Sequence, residues 1–316
     1  MSVRPPIFVI GAPRSGTTLL RVMLSSHPRI YIPPESDFIP RLYLGRARIP
    51  MERRRALRDV QIILGNRRFL REWRTDVPDP AAFVAALPEL TPAALLDALY
   101  RRYAAQHGAD RWGDKSPIYT RYIPLLAEIF PAAKFVHLIR DGRDAAVSTL
   151  AAYPDRFYVD VYYAARSWRL RVQAARQAGA ALGPARYVEL RYEDLTADAD
   201  AVLRPLCAFL GEDYAPAMRE PHRLARTLLR PNGRHAPVRE PVHANFGGWR
   251  SRMPAADQRL FHAVASDLLT DLGYDPGDQA PLSAADRARI GELATKYRVL
   301  EGGRRILQNF GVFPPH

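Results

Sequence analysis

Apolar positions along the chain follow two periods, and the changes of period mark the elements. Ile7-Phe8-Val9-Ile10 is an unbroken apolar run of strand length, rich in β-branched residues. From Thr17 the pattern switches. Leu19, Leu20, Met23 and Leu24 recur at the spacing of one helix face, and Ser26-His27-Pro28 ends that element. A second short strand is expected over 29–32, before Pro33-Pro34 breaks the backbone. Residues 40–110 read as a helical insertion rich in Arg, Ala and Leu, interrupted at Pro78, Pro80 and Pro92. Within it Thr91-Pro92 starts a helix that carries Leu95, Leu96, Leu99, Tyr100 and Tyr103 on one face. The charged stretch 111–117 reads as a turn, and Lys134–Ile139 as a central parallel strand, with 140–144 turning into a helix that carries Ala145 to Leu150. A further strand is expected at 186–195, ending in Tyr-Glu-Asp-Leu, then an amphipathic helix at 202–210, a Gly-, Pro-, His- and Arg-rich loop at 232–254, and a last amphipathic helix at 283–308.

Strands alternating with helices imply an α/β fold around a parallel sheet. No internal repeat or low-complexity linker divides the chain. The economical organisation is one domain over 1–275 with helical insertions. Residues 276–316 then form a helical extension that packs on the domain or against a second copy in a homodimer.

Composition narrows the function classes. The 316 residues are 47% hydrophobic, ample for a core, and the net charge is +13. Only Lys115, Lys134 and Lys296 among the 46 basic residues are lysines, and the arginines are scattered, which suits small anionic substrates as well as a polyanion. Cys207 is the single cysteine, so neither an internal disulfide nor a cysteine metal cluster can form. No run reaches the roughly 20 apolar residues of a membrane span, and Ile7–Ile10 is too short for a signal core. The expectation is a cytoplasmic protein that needs no membrane.

The chemistry begins in the loop Gly11-Ala12-Pro13-Arg14-Ser15-Gly16-Thr17-Thr18, between the first strand and the first helix. A glycine-bounded turn that opens a helix can cradle phosphate, because its free N–H groups converge and the helix dipole adds positive potential. Gly11, Gly16 and Thr18 match the spacing of a nucleotide-triphosphate loop, but Thr17 stands where that loop has its lysine. Arg14 instead offers a planar fork of donors to an oxyanion. The expected architecture is therefore a P-loop-type parallel sheet flanked by helices.

These residues resemble the sulfotransferases that use 3′-phosphoadenosine 5′-phosphosulfate (PAPS), with motif spacing similar to the protein-tyrosine branch. The resemblance implies that residues 14 to 18 (Arg14, Ser15, Gly16, Thr17 and Thr18) hold the 5′-phosphosulfate. Arg140 and Ser148, eight residues apart, would clamp the 3′-phosphate. Gly113-Asp114-Lys115-Ser116-Pro117 resembles a family motif whose lysine approaches the bridging oxygen of the sulfuryl group. Glu35, 21 residues beyond Arg14, is nominated as the base that deprotonates the acceptor hydroxyl, with Arg14 and Lys115 stabilising developing charge. His27 is the competing base. Tyr192 in Tyr-Glu-Asp-Leu lies near the nucleotide in this family. Trp249 and Arg250 resemble the end of its carboxyl-proximal cofactor loop, beside the adenine and the 3′-phosphate. No metal is implied, and the expected acceptor is the hydroxyl of a small molecule.

The aromatic group Tyr153, Phe157, Tyr158, Tyr162, Tyr163 and Trp168 reads either as core packing or as the lining of an apolar acceptor site. Two rival functions remain. A nucleotide kinase or NTPase would use the same loop, against which the missing lysine counts. A non-catalytic, basic nucleic-acid-binding protein would need a recognition signature that is absent from the sequence.

Overall fold

The computed structural model describes residues 4–66, 73, 77–231, 233–275, 277 and 281–309. Asn232 of the expected cofactor loop, and most of positions 67–76 of the helical insertion, lie outside them. Five strands form one parallel sheet: β1 (Ile7–Ile10), β2 (Ile30–Tyr31), β3 (Arg111–Lys115), β4 (Lys134–Ile139) and β5 (Tyr187–Arg191), in the spatial order β2-β3-β1-β4-β5. β1 is central, with Ile7 opposite Gly113 on one side and Lys134 on the other. Its side chains alternate between two cores. Phe8 and Ile10 join Trp112, Phe135 and the Pro92–Gln106 helix, while Ile7 and Val9 join Val136, Leu138 and the helices Thr17–Ser25 and Ala199–Leu210. Both sheet faces are covered, which is why β1 is an unbroken apolar run.

β3 corrects the expectation of a turn at 111–117. Residues Arg111–Lys115 are a strand, and all five are buried. Its polar residues conceal it from hydropathy, because each is buried with a polar partner from elsewhere in the chain. Arg111 donates to Glu212 at 2.9 Å and to the carbonyl of Leu210 at 2.6 Å. Asp114 accepts from tyrosine and serine hydroxyls, and Lys115 pairs with Glu35. Gly113 is needed at this point, since a Cβ would lie 2.6 Å from the carbonyl oxygen of Ile7 on β1.

The helix expected to carry Ala145 to Leu150 starts earlier, spanning Gly142–Ala152, and Asp141 caps it by accepting from the Arg143 N–H at 2.9 Å. The strand expected at 186–195 ends at Arg191, and Tyr192–Ala197 is a helix with Glu193 and Asp194 in its first turn. A 22-residue helix, Val161–Leu182, packs beside it, with Trp168 buried against Phe261 of the Ala255–Asp271 helix. The final helix, Ala284–Asn309, is tied to the domain by Lys296 with Asp160 and by Tyr297 stacked on Tyr163. Among the described residues no helix is long and apolar enough to cross a membrane.

Removing one member of a buried ion pair strands the other charge, a loss of about 3–5 kcal/mol. Arg111→Met leaves the Glu212 carboxylate buried with Arg4 as its close partner. The expected loss is about 3 kcal/mol, read as a lower urea midpoint at unchanged slope. A loss below about 1 kcal/mol would mean that the pair does not anchor β3.

Candidate active site

The first loop, Glu35, Lys115, Arg140 and Tyr192 all stand at or just beyond a strand's carboxyl end, where parallel α/β sheets bind ligands. The loop after β1 turns through two left-handed residues, Arg14 at φ 67° and Gly16 at φ 89°. Such a turn points successive N–H groups inward as an anion nest at the start of the Thr17–Ser25 helix. Gly16 is doubly constrained, because a Cβ would also fall 2.3 Å from the ring of Tyr192. Thr17 and Thr18, on the first turn, are buried.

Arg14, Ser148, Arg140 and Tyr192 form one cluster. Arg14 Nε donates to Ser148 Oγ at 3.0 Å, and Arg140 donates to the carbonyl of Arg14 at 3.2 Å. The Arg140 guanidinium sits 4.3 Å above the Tyr192 ring. Thus the end of β4, the helix after it and the first loop converge, as the Arg140–Ser148 spacing implies, although Arg14 stands between the two. Burial lowers the pKa of Arg14 and raises that of Tyr192. Two buried polar atoms here have no protein partner, Ser15 Oγ and Arg140 Nε. Unsatisfied donors beside an anion nest are what a phosphate- or sulfate-bearing ligand would satisfy.

A second cluster adjoins the same loop. Lys115, 2% exposed, donates to Glu35 at 2.5 Å and to Thr18 Oγ1 at 3.2 Å. Burial pushes the Lys115 ammonium down and the Glu35 carboxylate pulls it back up. Glu35 therefore faces the loop and does not cap the helix Phe38–Tyr43 that follows it. His27 does not reach this cluster. Its Nε2 pairs with the carbonyl of Asp213 at 2.9 Å, and its Nδ1 accepts from the N–H of Arg29 at 3.1 Å, so both ring nitrogens serve local backbone.

The 232–254 loop closes over the cluster. Arg140 donates to the carbonyl of Asn245 at 2.9 Å, and Asp144 accepts from the N–H groups of Gly247 and Trp249 at 2.6 and 2.9 Å. Trp249 is 2% exposed, and the guanidinium groups of Arg143 and Arg250 lie 3.7 and 4.6 Å from its ring centre. Arg250 bonds to Asp275 at 2.6 Å. These two side chains thus fasten the loop, and a cavity of about 350 Å³ lies beside them, lined also by Glu193 and Tyr274. A smaller cavity of about 120 Å³ backs onto Ala12 and Pro13, with Tyr153, Tyr158, Tyr163 and Trp168 in its walls. Arg234, from the loop, lies over Tyr153 at 4.3 Å and its carbonyl accepts from Arg14 at 3.1 Å.

Three site residues had no sequence signal strong enough to single them out. Arg21, one turn beyond Thr17, is a buried cation whose field lowers the pKa of Lys115. Asp114 was visible only as a letter within a motif. Burial raises its pKa to about 6 against the hydrogen bonds that favour its ionised form. His235 comes from the loop, far away in sequence. Burial first, and then the positive fields of Lys115 and Arg14, lower its pKa to about 4. It is therefore a neutral imidazole beside the Glu35–Lys115 pair at ordinary pH.

A histidine with a depressed native pKa binds fewer protons folded than unfolded between its two pKa values. Its stabilising contribution is full above the unfolded value near 6.5 and is lost as pH falls toward about 4. His235→Gln is expected to flatten the fall in unfolding free energy across that window, measured by urea titration at stepped pH. An unchanged slope would place His235 in ordinary solvent.

The chain and its fold have clear relatives. The family model described as "Sulfotransferase family" matches residues 5–216. A protein-tyrosine sulfotransferase 1 of Danio rerio is 27% identical over 88% of this chain and 74% of its own length. A protein-tyrosine sulfotransferase 2 of Gallus gallus is 25% identical over 96% of this chain and 81% of its own. Among solved structures, the sulfotransferase domain from the Synechococcus PCC 7002 olefin synthase aligns with a TM-score of 0.56 and 26% identity, covering 87% of this chain and 97% of that domain. The match spans the first loop, β3 with Lys115, and β4 with Arg140, and on that ground the chain belongs to the sulfotransferase family and is a transferase enzyme.

Proposed function

We propose that this enzyme moves a sulfuryl group from PAPS to an acceptor hydroxyl and releases 3′,5′-ADP. The observation that carries the reading is the convergence on one loop of Lys115, 2.5 Å from Glu35 and 3.2 Å from Thr18, with Arg14 and Arg140 beside them. The donor supplies an activated sulfur. The N–H groups of residues 14–18 would hold its 5′ end, and Arg140 with Ser148 would hold its 3′-phosphate. Ser15 Oγ and Arg140 Nε, without protein partners, support that placement.

Glu35 accepts the acceptor's hydroxyl proton as the new S–O bond forms in line with the one that breaks. The bond to the 5′-phosphate carries its electron pair away to the departing oxygen. Lys115 and Arg14 stabilise the charge that collects there and on the sulfuryl oxygens. A carboxylate already paired with the lysine is released toward the acceptor as Lys115 turns to the leaving group. His235, being neutral, can hydrogen-bond the acceptor without adding charge.

The acceptor in this reading is a small-molecule hydroxyl, and the protein works in the cytoplasm. The second reading is a peptide tyrosine, favoured by the relatives named protein-tyrosine sulfotransferases. Transfer of labelled sulfate from PAPS to small phenols and alcohols, run beside a tyrosine peptide, separates them. Label found only in the peptide selects the second.

Arg140→Ala is expected to weaken 3′,5′-ADP by about 10- to 100-fold, the worth of a charge-assisted contact, while leaving 5′-AMP nearly unchanged by calorimetry. Equal losses for both nucleotides would remove Arg140 from the 3′-phosphate. Glu35→Gln is expected to reduce turnover about 10²- to 10⁴-fold with 3′,5′-ADP affinity preserved, in the labelled-sulfate assay. Turnover near the parental rate would take the base role from Glu35.

A further inference from the structure

Behind the Glu35–Lys115 pair lies a second, fully buried cluster that touches neither loop nor nucleotide cradle. Asp114 is 0% exposed, and one of its oxygens, Oδ2, accepts from three hydroxyls: Ser36 at 2.6 Å, Tyr100 at 2.5 Å and Tyr119 at 2.7 Å. Ser36 Oγ lies in turn 2.9 Å from the Tyr100 hydroxyl and 2.7 Å from that of Tyr119. Tyr100 belongs to the Pro92–Gln106 helix of the insertion and stacks on Trp112 of β3 with ring centres 4.3 Å apart. Tyr119 belongs to the short helical turn Pro117–Arg121 after β3. Trp73 donates to the carbonyl of Pro34 at 3.1 Å, so the segment around Glu35 is held from two sides.

The chain connectivity gives this cluster its meaning. Asp114 immediately precedes Lys115 and Ser36 immediately follows Glu35. On a strand, successive side chains point to opposite faces, so Lys115 reaches the site while Asp114 reaches the core beneath it. The Ser36–Asp114 bond therefore clamps the two backbones one residue away from the Glu35–Lys115 pair. A buried carboxylate gathering three hydroxyls is a costly arrangement for a core to keep, and an apolar residue of similar size would pack there without the desolvation penalty.

We infer that Asp114 and Ser36 are positioning residues, whose buried hydrogen bond sets the reach of Glu35 toward Lys115 and toward the acceptor. The inference rests on the reading of Glu35 as the base, but its test addresses where Glu35 stands, separately from what it does.

The chain has only three lysines, so selective ¹³C-lysine labelling gives three side-chain signals, those of Lys115, Lys134 and Lys296. In the full-length protein, Glu35→Gln defines the Lys115 signal of a broken pair. Ser36→Ala, which keeps Tyr100 and Tyr119 on the carboxylate, is expected to move the Lys115 signal toward that reference, and Asp114→Asn to move it further because it also removes a negative charge that acts on Lys115 directly. Lys134 and Lys296 should stay in place and 3′,5′-ADP affinity should hold. The double variant should move Lys115 no further than Asp114→Asn alone, since both changes break one link. Should Asp114→Asn fail to fold, Ser36→Ala decides by itself. A Lys115 signal that stays at its parental position in folded Ser36→Ala, while Glu35→Gln moves it, overturns the inference. So does a Glu35→Gln that leaves Lys115 unmoved. Loss of turnover in Glu35→Gln is a separate measurement and bears only on the base assignment.

Discussion

The site is organised around a lysine amine buried at a strand end and paired with a carboxylate. Lys115 ends a buried strand, and desolvation of its amine opposes the charge it needs. The opposing pull comes first from Glu35, 2.5 Å away, and then from the Asp114 carboxylate. Arg21 and Arg14 crowd the same volume with further positive charge. Such a collection of cations around a nest of N–H groups is electrostatically unfavourable alone, and an anionic ligand relieves it. A field that attracts an anionic ligand also favours negative charge developing on it, so binding and charge stabilisation can draw on the same groups.

The parallel sheet makes that concentration possible. β1, β3 and β4 run side by side, and their carboxyl ends deliver the loop of residues 11–18, Lys115 and Arg140 to one edge. The loop arginine takes a left-handed backbone conformation that non-glycine residues adopt rarely. That conformation is held by surrounding bonds, from Arg14 to Ser148 and from Arg140 to the Arg14 carbonyl. Strain of this kind persists where the neighbouring structure over-determines it, and here the neighbours are themselves site residues.

The late loop completes the site by a different route. Its backbone, not its aromatic side chain, makes the principal connections: Asn245 to Arg140, Gly247 and Trp249 to Asp144, Arg234 to Arg14. Trp249 is an anchor buried between arginines. The loop thereby carries His235 within the fields of Lys115, Arg14 and Glu35. Rigid strands hold the charges, and the loop supplies shape.

Periodicity and local chemistry sufficed for β1, β4, the helix after the first loop and the anion-binding turn, because both strand burial and glycine-bounded turns are written in adjacent residues. The resemblance of short motifs then ordered Arg14, Glu35, Lys115 and Arg140 along the chain. What lies beyond adjacency came only from the folded molecule. β3 was hidden because Arg111, Asp114 and Lys115 look exposed until Glu212, Ser36 and Glu35 arrive from other parts of the chain to satisfy them. The pairing of Arg14 with Ser148, the release of His27 to a backbone role, and the neutral His235 beside Lys115 were equally illegible. Sequence fixes which groups are available and the local conformations they prefer. Which charges meet, and in how dry a place, depends on contacts between residues about a hundred positions apart, and those exist only once the sheet has brought its strand ends together.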